Sequence, residues 1–274
     1  MAATASTIGT IGFLGAGQMA TALAKGWLAA GLLTPQTCRA SDPFAEARSR
    51  FQQVTGVTAT TDNRAVVQGS DVLILAVKPQ SMPALLEEIR PDLREKHLIV
   101  SIAAGLTIAK LTDLLQASYR IVRVMPNTPC LIGLSATGFA AGTGASKDDA
   151  ALVERLFNAV GKAFALPEPL LDAVTGLSGS GPAFVYVMIE AMSDGGVRMG
   201  LPRDVATALA VQTVLGSARM VQETKQHTGA LKDSVASPGG TTIAGLHALE
   251  RGGFRAAVMD AVEAATRRST ELGK

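Results

Sequence analysis

Gly15-Ala16-Gly17-Gln18-Met19-Ala20 stands between two segments of different periodicity. Ile11-Gly12-Phe13-Leu14 before it is a short apolar run of buried-strand type, and Met19 to Ala30 after it is spaced as a helix that ends at Gly31. A strand, a tight glycine turn and a helix leave the backbone few paths. The first glycine permits the turn, the second lets a ligand approach the main chain, and Ala20 is small enough for helix to pack on strand. Gly15, Ala16, Gly17, Gln18 and Met19 are therefore expected to seat a pyrophosphate at the helix N-terminus, as in dinucleotide-binding units. The competing reading is a turn with no ligand; the strand before and the helix after favour the first.

The same alternation continues along the chain. Short strands are expected near Thr37–Ser41 and Val57–Ala59, then at Val72–Val77, Leu98–Ile102 and Ile121–Val124. Val72-Leu73-Ile74-Leu75-Ala76-Val77 is apolar throughout, as a strand covered on both faces must be. Strands separated by helices predict a doubly wound sheet from Ile8 to about Leu166. After Pro167-Glu168-Pro169 the character changes. Val185 to Met199, Val205 to Gln226, Thr242 to Arg251 and Ala256 to Leu272 read as helices with no strand between them. The expected organisation is an α/β, Rossmann-like dinucleotide-binding domain over 1–168 and an all-α domain over 169–274.

The 274 residues are 47% hydrophobic and 18% charged, enough to fill a large core and leave apolar surface for a second copy. Net charge is +2 without a block of like charge, which speaks against nucleic acid or an anionic membrane surface as partner. Cys38 and Cys130 are the only cysteines, too few for a disulfide framework, and a reducing, cytoplasmic setting fits. The N-terminus lacks a basic region and is not read as a signal peptide. The longest apolar run, Ala183 to Ile189, is too short to span a bilayer.

Open α/β sheets bind ligands beyond the C-terminal ends of their strands. Three loops qualify: Ala76-Val77-Lys78-Pro79, Ala103-Ala104-Gly105, and Met125-Pro126-Asn127-Thr128-Pro129. Lys78 is either beside the dinucleotide or a solvated lysine. The Asn127 amide either reaches the nicotinamide or belongs to a plain rigid turn. At the end of the second strand, Asp42 would hold a ribose 2′-hydroxyl and repel a 2′-phosphate, or simply open a turn before Pro43. Ser41, with Asn63 and Arg64 beyond the third strand, would instead accept the phosphate. The residues leave NAD and NADP evenly matched.

In the second half, Ser237-Pro238-Gly239-Gly240-Thr241-Thr242 interrupts helix and offers hydroxyls and free N–H groups to a small anion at the start of the next helix. Thr175-Gly176-Leu177-Ser178-Gly179-Ser180-Gly181-Pro182 is a second hydroxyl-rich stretch; each could be no more than a cap and a turn. No His, Cys, Asp or Glu cluster has metal-ligand spacing, and His97, His227 and His247 do not read as bases. Hydride transfer to an already activated acceptor fits a chain without a strong base, because the cofactor carries that chemistry.

With these residues in view, the chain resembles the pyrroline-5-carboxylate reductases over nearly its whole length. The resemblance rests on Leu177–Pro182, on Asp194-Gly195-Gly196-Val197 with Met199-Gly200-Leu201-Pro202, on Leu231-Lys232-Asp233, on Ser237 through Ile243, and on Leu249 through Arg255. It implies reduction of Δ1-pyrroline-5-carboxylate to L-proline, usually with NADPH and often also NADH. It implies that Ser41 and Asn63 meet the 2′-phosphate, which tips the cofactor toward NADP. It implies that Ser237, Gly240, Thr241 and Thr242 hold the substrate carboxylate and that Thr175 stands near the ring nitrogen. A dimer built on the helical domain is implied, often assembled into a decamer. A β-hydroxyacid dehydrogenase, the nearest rival, should carry a lysine near the start of the interdomain helix, and Thr175 to Val197 has none. A nicotinamide-binding protein without turnover is the other rival.

Overall fold

The computed structural model describes residues 8–273. Residues 1–7, which enter the reading of the N-terminus, lie outside them. The chain forms two compact units. One runs to Ser180 and takes back the chain from Ala264 onward; the other is Gly181–Glu263.

The first unit is built on one sheet. Its elements are β1 (Ile11–Leu14), α1 (Gln18–Ala29), β2 (Cys38–Ser41), α2 (Ala45–Thr55), β3 (Ala59–Thr60), α3 (Asn63–Gln68), β4 (Val72–Leu75), α4 (Met82–Ile89), β5 (Leu98–Ser101), α5 (Ile108–Leu115), β6 (Arg120–Met125), β7 (Ser135–Ala141), α6 (Lys147–Asn158), β8 (Gly161–Ala165) and α7 (Leu171–Val174). The strand order is β3-β2-β1-β4-β5-β6-β7-β8. The first six strands pair in parallel, which is the expected Rossmann-like arrangement. β7 then runs antiparallel to β6, and β8 pairs parallel to β7, an extension the sequence pattern did not announce.

The strands are apolar on both sides because helices cover both faces. Along β1, Ile11 and Phe13 enter one core with Trp27, Phe51 and Phe157, while Leu14 enters the other with Leu73, Leu75, Met82 and Leu86. β4 divides the same way, Val72 and Ile74 to the first core and Leu73 and Leu75 to the second. Period-two alternation is thus present but hidden, since neither face is polar. Trp27 stacks on Phe13 at 5.6 Å, meets Phe157 edge-on at 5.7 Å, and its Nε1–H donates to the Leu156 carbonyl at 2.7 Å. That satisfies the one polar atom of a fully buried indole.

The compact units divide later than the break in composition near residue 168. Leu171 is fully buried, and with Val174 it lies over Gly138 of β7, so α7 stays on the sheet. The buried Arg123 guanidinium reaches Glu168 at 3.3 Å and Asp172 at 3.6 Å. Asp172 also accepts from Ser269 Oγ at 2.7 Å and Thr270 Oγ1 at 3.1 Å, which ties the end of the chain's last helix into this unit.

The second unit is helical throughout: α8 (Gly181–Arg198), α9 (Arg203–Thr224), α10 (Thr228–Ser234), α11 (Thr241–Arg251) and the first part of α12 (Phe254–Leu272). α8 and α9 form a close pair, with Gly196 against Ala206 and Leu201, and Ser193 Oγ bonded to Thr207 Oγ1 at 2.7 Å. His227 caps α10, its Nδ1 accepting from Gly229 N at 3.1 Å.

His97, at the start of β5, is buried. Its Nδ1 accepts the Arg94 N–H at 2.9 Å, and its Nε2 has no hydrogen bond of regular geometry among the described residues. Burial first, then the Lys96 and Arg94 charges, hold its pKa below 6.5, with Asp71 and the Ser70 backbone opposing. The unfolded chain therefore takes up this proton before the folded one. Stability from this group is present at neutral pH and declines as pH falls below about 6.5. His97→Gln should flatten the fall of the urea midpoint between roughly pH 7 and pH 5, by at most about 1.4 kcal/mol per pH unit. Equal slopes in the two proteins would contradict this.

Candidate active site

The glycine loop leaves β1 at the C-terminal edge of the sheet. Gly15 has φ +101°, and its N–H donates to the Ser41 carbonyl at 2.8 Å, so the loop crosses directly to the end of β2. Gly17 precedes α1 in extended backbone, with no side chain capping the helix and no acidic residue in its first turn. The N–H groups at the start of α1 have no intrahelical acceptor, and the dipole adds positive potential there. A Cβ on Gly17 would meet nothing within 4 Å, so the space in front of these donors is open. An open set of uncapped donors on a twelve-residue helix fits a pyrophosphate.

Asp42 does not face outward as a ribose ligand. It is buried, its Oδ2 accepts the Ala16 N–H at 2.8 Å and its Oδ1 the Phe44 N–H at 2.9 Å. The carboxylate clamps the glycine loop and closes the turn after β2, which the Asp-Pro signal alone indicated only as a turn. Ser41 is also buried, and its hydroxyl donates to Asn63 Oδ1 at 2.7 Å. Ser41 and Asn63 thus lie together at the far end of β2.

The three further loops also gather at this edge. Ala76 N donates to the Leu14 carbonyl at 2.9 Å, which sets the segment Ala76-Val77 directly behind the glycine loop. Lys78 is exposed and precedes the short turn Pro79–Ser81. Ala103 and Gly105 are buried and Ala104 is exposed. The Asn127 amide is bonded within the protein. Its Oδ1 accepts from Ala136 N at 2.9 Å and Ser135 Oγ at 3.2 Å, and its Nδ2 donates to the Ser178 carbonyl at 3.0 Å. The oxygen and one amide N–H are engaged inside the protein, so this side chain joins β7 to the Thr175 turn, and the second N–H of the amide is left over.

Thr175 begins a π-helical turn, Thr175–Gly179, where a loop was expected. Such turns leave the regular ladder and recur at functional sites. Thr175 is half-buried, and its hydroxyl donates to the Leu171 carbonyl at 2.8 Å. The proton is engaged, which leaves the oxygen to accept. Cys130, just past Asn127, is buried and pushed up to about 11 by burial, so it is no thiolate nucleophile.

The second unit carries the other candidate residues. Gly239 has φ +66°, and Gly240 N donates to the Ser237 carbonyl at 3.0 Å, which turns the chain into α11. No side chain caps α11 and its first turn has no acid. Ser237 Oγ lies where a Cβ on Gly240 would stand. Thr241 and Thr242 are the first two helical residues. One hydroxyl, two threonines and uncapped helical N–H groups therefore converge on a few ångströms, with nothing anionic in the turn. That chemistry suits a carboxylate. Among the described residues no group of three or more His, Cys, Asp or Glu could hold a metal ion, and no helix is long and apolar enough to cross a membrane.

Residues 168–272 match the family described as pyrroline-5-carboxylate reductase dimerisation, and residues 10–105 the family described as NADP oxidoreductase, coenzyme F420-dependent. The chain is 48% identical over 264 residues to a pyrroline-5-carboxylate reductase of Methanosarcina acetivorans, covering 96% of this chain and 98% of that one. Among solved structures, it is similar to the pyrroline carboxylate reductase of Plasmodium falciparum with NADP bound, at 36% identity and a TM-score of 0.88, covering 97% of this chain and 98% of that one. It is also similar to the pyrroline-5-carboxylate reductase of Coxiella burnetii, at 37% identity and a TM-score of 0.91, covering 97% and 99%.

Proposed function

The chain belongs to the pyrroline-5-carboxylate reductase family, and we propose that it reduces Δ1-pyrroline-5-carboxylate to L-proline, the last step of proline synthesis, with NADPH as the preferred donor. The observation that carries this reading is the uncapped start of α11 at Gly240, with the Ser237 hydroxyl packed against it. It is a seat for a small carboxylate in a chain whose other unit seats a dinucleotide.

The division of labour follows from chemistry. Gly15, Ala16, Gly17, Gln18 and Met19 place the pyrophosphate on α1, and Ser41 and Asn63 stand at the 2′-phosphate. Lys78, Pro79, Ala104 and their neighbours border the same edge. The bound dinucleotide supplies a hydride, which adds to the imine carbon. Ser237, the N–H groups around Gly240 and Thr241, and Thr242 fix the carboxylate and thereby the face of the ring presented. Thr175, whose proton is held by Leu171, accepts a hydrogen bond from the protonated ring nitrogen and orients it. This favours an orienting role, since an unperturbed hydroxyl is a poor acid.

The helical unit exposes apolar side chains such as Tyr186 (61%) and Met259 (71%), which supports a homodimer through this unit and leaves room for larger assemblies. Uncrosslinked, buried cysteines agree with a cytoplasmic setting.

An assay of NADPH oxidation with Δ1-pyrroline-5-carboxylate and with 3-hydroxy acids tests the reading. Turnover of the pyrroline alone is expected; its absence at saturating NADPH overturns the assignment. Thr242→Ala should raise KM for the pyrroline about 10-fold with a smaller change in kcat. A steep fall in kcat at unchanged KM would remove Thr242 from the carboxylate seat.

A further inference from the structure

We propose that Glu88 sets how strongly this chain prefers NADPH over NADH, acting through Asn63. The inference rests on NADPH as the preferred donor and concerns a residue which that assignment does not use. Ser41 donates to Asn63 Oδ1 at 2.7 Å, and Asn63 Nδ2 donates in turn to Glu88 Oε2 at 2.8 Å. Beside them, Arg64 Nε donates to Asp92, whose other oxygen accepts from Gln68 Nε2 at 2.7 Å. Each of the three groups a 2′-phosphate would recruit at the end of β2, the Ser41 hydroxyl, the Asn63 amide and the Arg64 guanidinium, thus already donates one hydrogen bond within the protein. Two of them are held by carboxylates of the segment Met82–Asp92.

A 2′-phosphate carries close to two negative charges and only acceptors. A 2′-phosphate that accepts from the Asn63 amide, through either of its two N–H groups, stands beside the carboxylate bonded to the same nitrogen. Glu88 is exposed, so breaking its bond to Asn63 is cheap, but the like charge stays. NADH carries an uncharged ribose hydroxyl and leaves the latch closed. Glu88 therefore weakens binding of NADPH and is almost neutral toward NADH. Its removal widens the preference.

Glu88→Gln keeps the size of the side chain and an oxygen for Asn63 but removes the charge; Glu88→Ala removes both. Dissociation constants for NADPH, NADH, adenosine 2′,5′-bisphosphate and 5′-AMP would be measured by nucleotide fluorescence and calorimetry on the full chain. An exposed charge interaction corresponds to about a 2- to 5-fold change in a dissociation constant. The expected result is tightening of that size for NADPH and the bisphosphate in both variants, with NADH and 5′-AMP unchanged. Weaker NADPH binding in Glu88→Ala would mean that Glu88 presents Asn63 to the phosphate, and overturns the proposal. Equal shifts for NADPH and NADH, or none, overturn it too. Failure of the unaltered chain to bind NADPH at all would instead overturn the cofactor assignment on which it stands.

Discussion

Gly15→Ala is expected to raise the dissociation constant for NADPH by roughly 100-fold or more and to destabilise the chain by about 3 kcal/mol. Two effects add. Gly15 has φ +101°, a conformation that a residue with a Cβ resists. The Cβ would also lie 2.8 Å from the Ala76 carbonyl oxygen, 2.9 Å from its carbon and 3.1 Å from Val77 N. These are backbone atoms at the end of a buried central strand, so no rotamer change relieves the overlap. The loop must move away from β4, and with it the Ala16 N–H that Asp42 holds and the Gly15 N–H that Ser41 holds. The donors at the start of α1 then no longer share one focus. Thermal unfolding should fall by about 2–4 °C per kcal/mol in a chain of this size. Gly17→Ala separates the two components. Its φ is −71° and its Cβ would touch nothing, so the fold should be untouched while the methyl enters the space in front of α1. Loss of stability without loss of NADPH binding in Gly15→Ala, or full NADPH affinity in Gly17→Ala, would show that this loop does not seat the pyrophosphate.

The six parallel strands and the long helices were legible because each carries its own signal: an apolar run such as Val72–Leu75, or helical spacing closed by glycine or opened by proline. β7 was not. Ser135-Ala136-Thr137-Gly138-Phe139-Ala140-Ala141 carries no long apolar run, since α7 presses on Gly138 and the Ser135 and Thr137 hydroxyls bond each other at 2.9 Å inside the protein. Its antiparallel direction is a long-range choice with no local mark. The π-helical turn at Thr175 reads as a loop for a similar reason, since glycines and serines lower helix propensity while the tertiary contacts impose the turn. The return of the chain's end to the first unit rests on Asp172 meeting Ser269 and Thr270, pairs nearly a hundred positions apart. In the candidate site, residue types were readable but their partners were not. Asp42 read equally as a ribose ligand or a turn opener, and the pattern could not show that it clamps Ala16; Asn127 read as a nicotinamide ligand or part of a rigid turn, and the pattern could not show that it braces the turn that carries Thr175.

Gly240→Ala is expected to leave the fold and NADPH affinity intact while raising KM for the pyrroline carboxylate roughly 10- to 150-fold. The contrast with Gly15 lies in what the new Cβ meets. At Gly240 the backbone, φ −79° and ψ 174°, is open to any residue. The nearest atom is the Ser237 hydroxyl oxygen, the free end of a short side chain, with the Ser237 carbonyl oxygen next at 3.2 Å. Rotation of Ser237 about χ1 relieves most of the overlap at little energetic cost. That rotation takes the hydroxyl out of the carboxylate seat, which removes a charge-assisted hydrogen bond worth about 1.5–3 kcal/mol. The melting temperature should therefore shift by no more than about 2 °C, within the range of a surface substitution. Ser237→Ala should reproduce most of the rise in KM by itself. Adding Gly240→Ala to it should then cost little more, because the hydroxyl that the methyl would displace is already gone. Two residues acting on one group are expected to be non-additive in this way. Full additivity of the two substitutions, or a change confined to kcat, would mean that the turn before α11 does not hold the substrate carboxylate through Ser237.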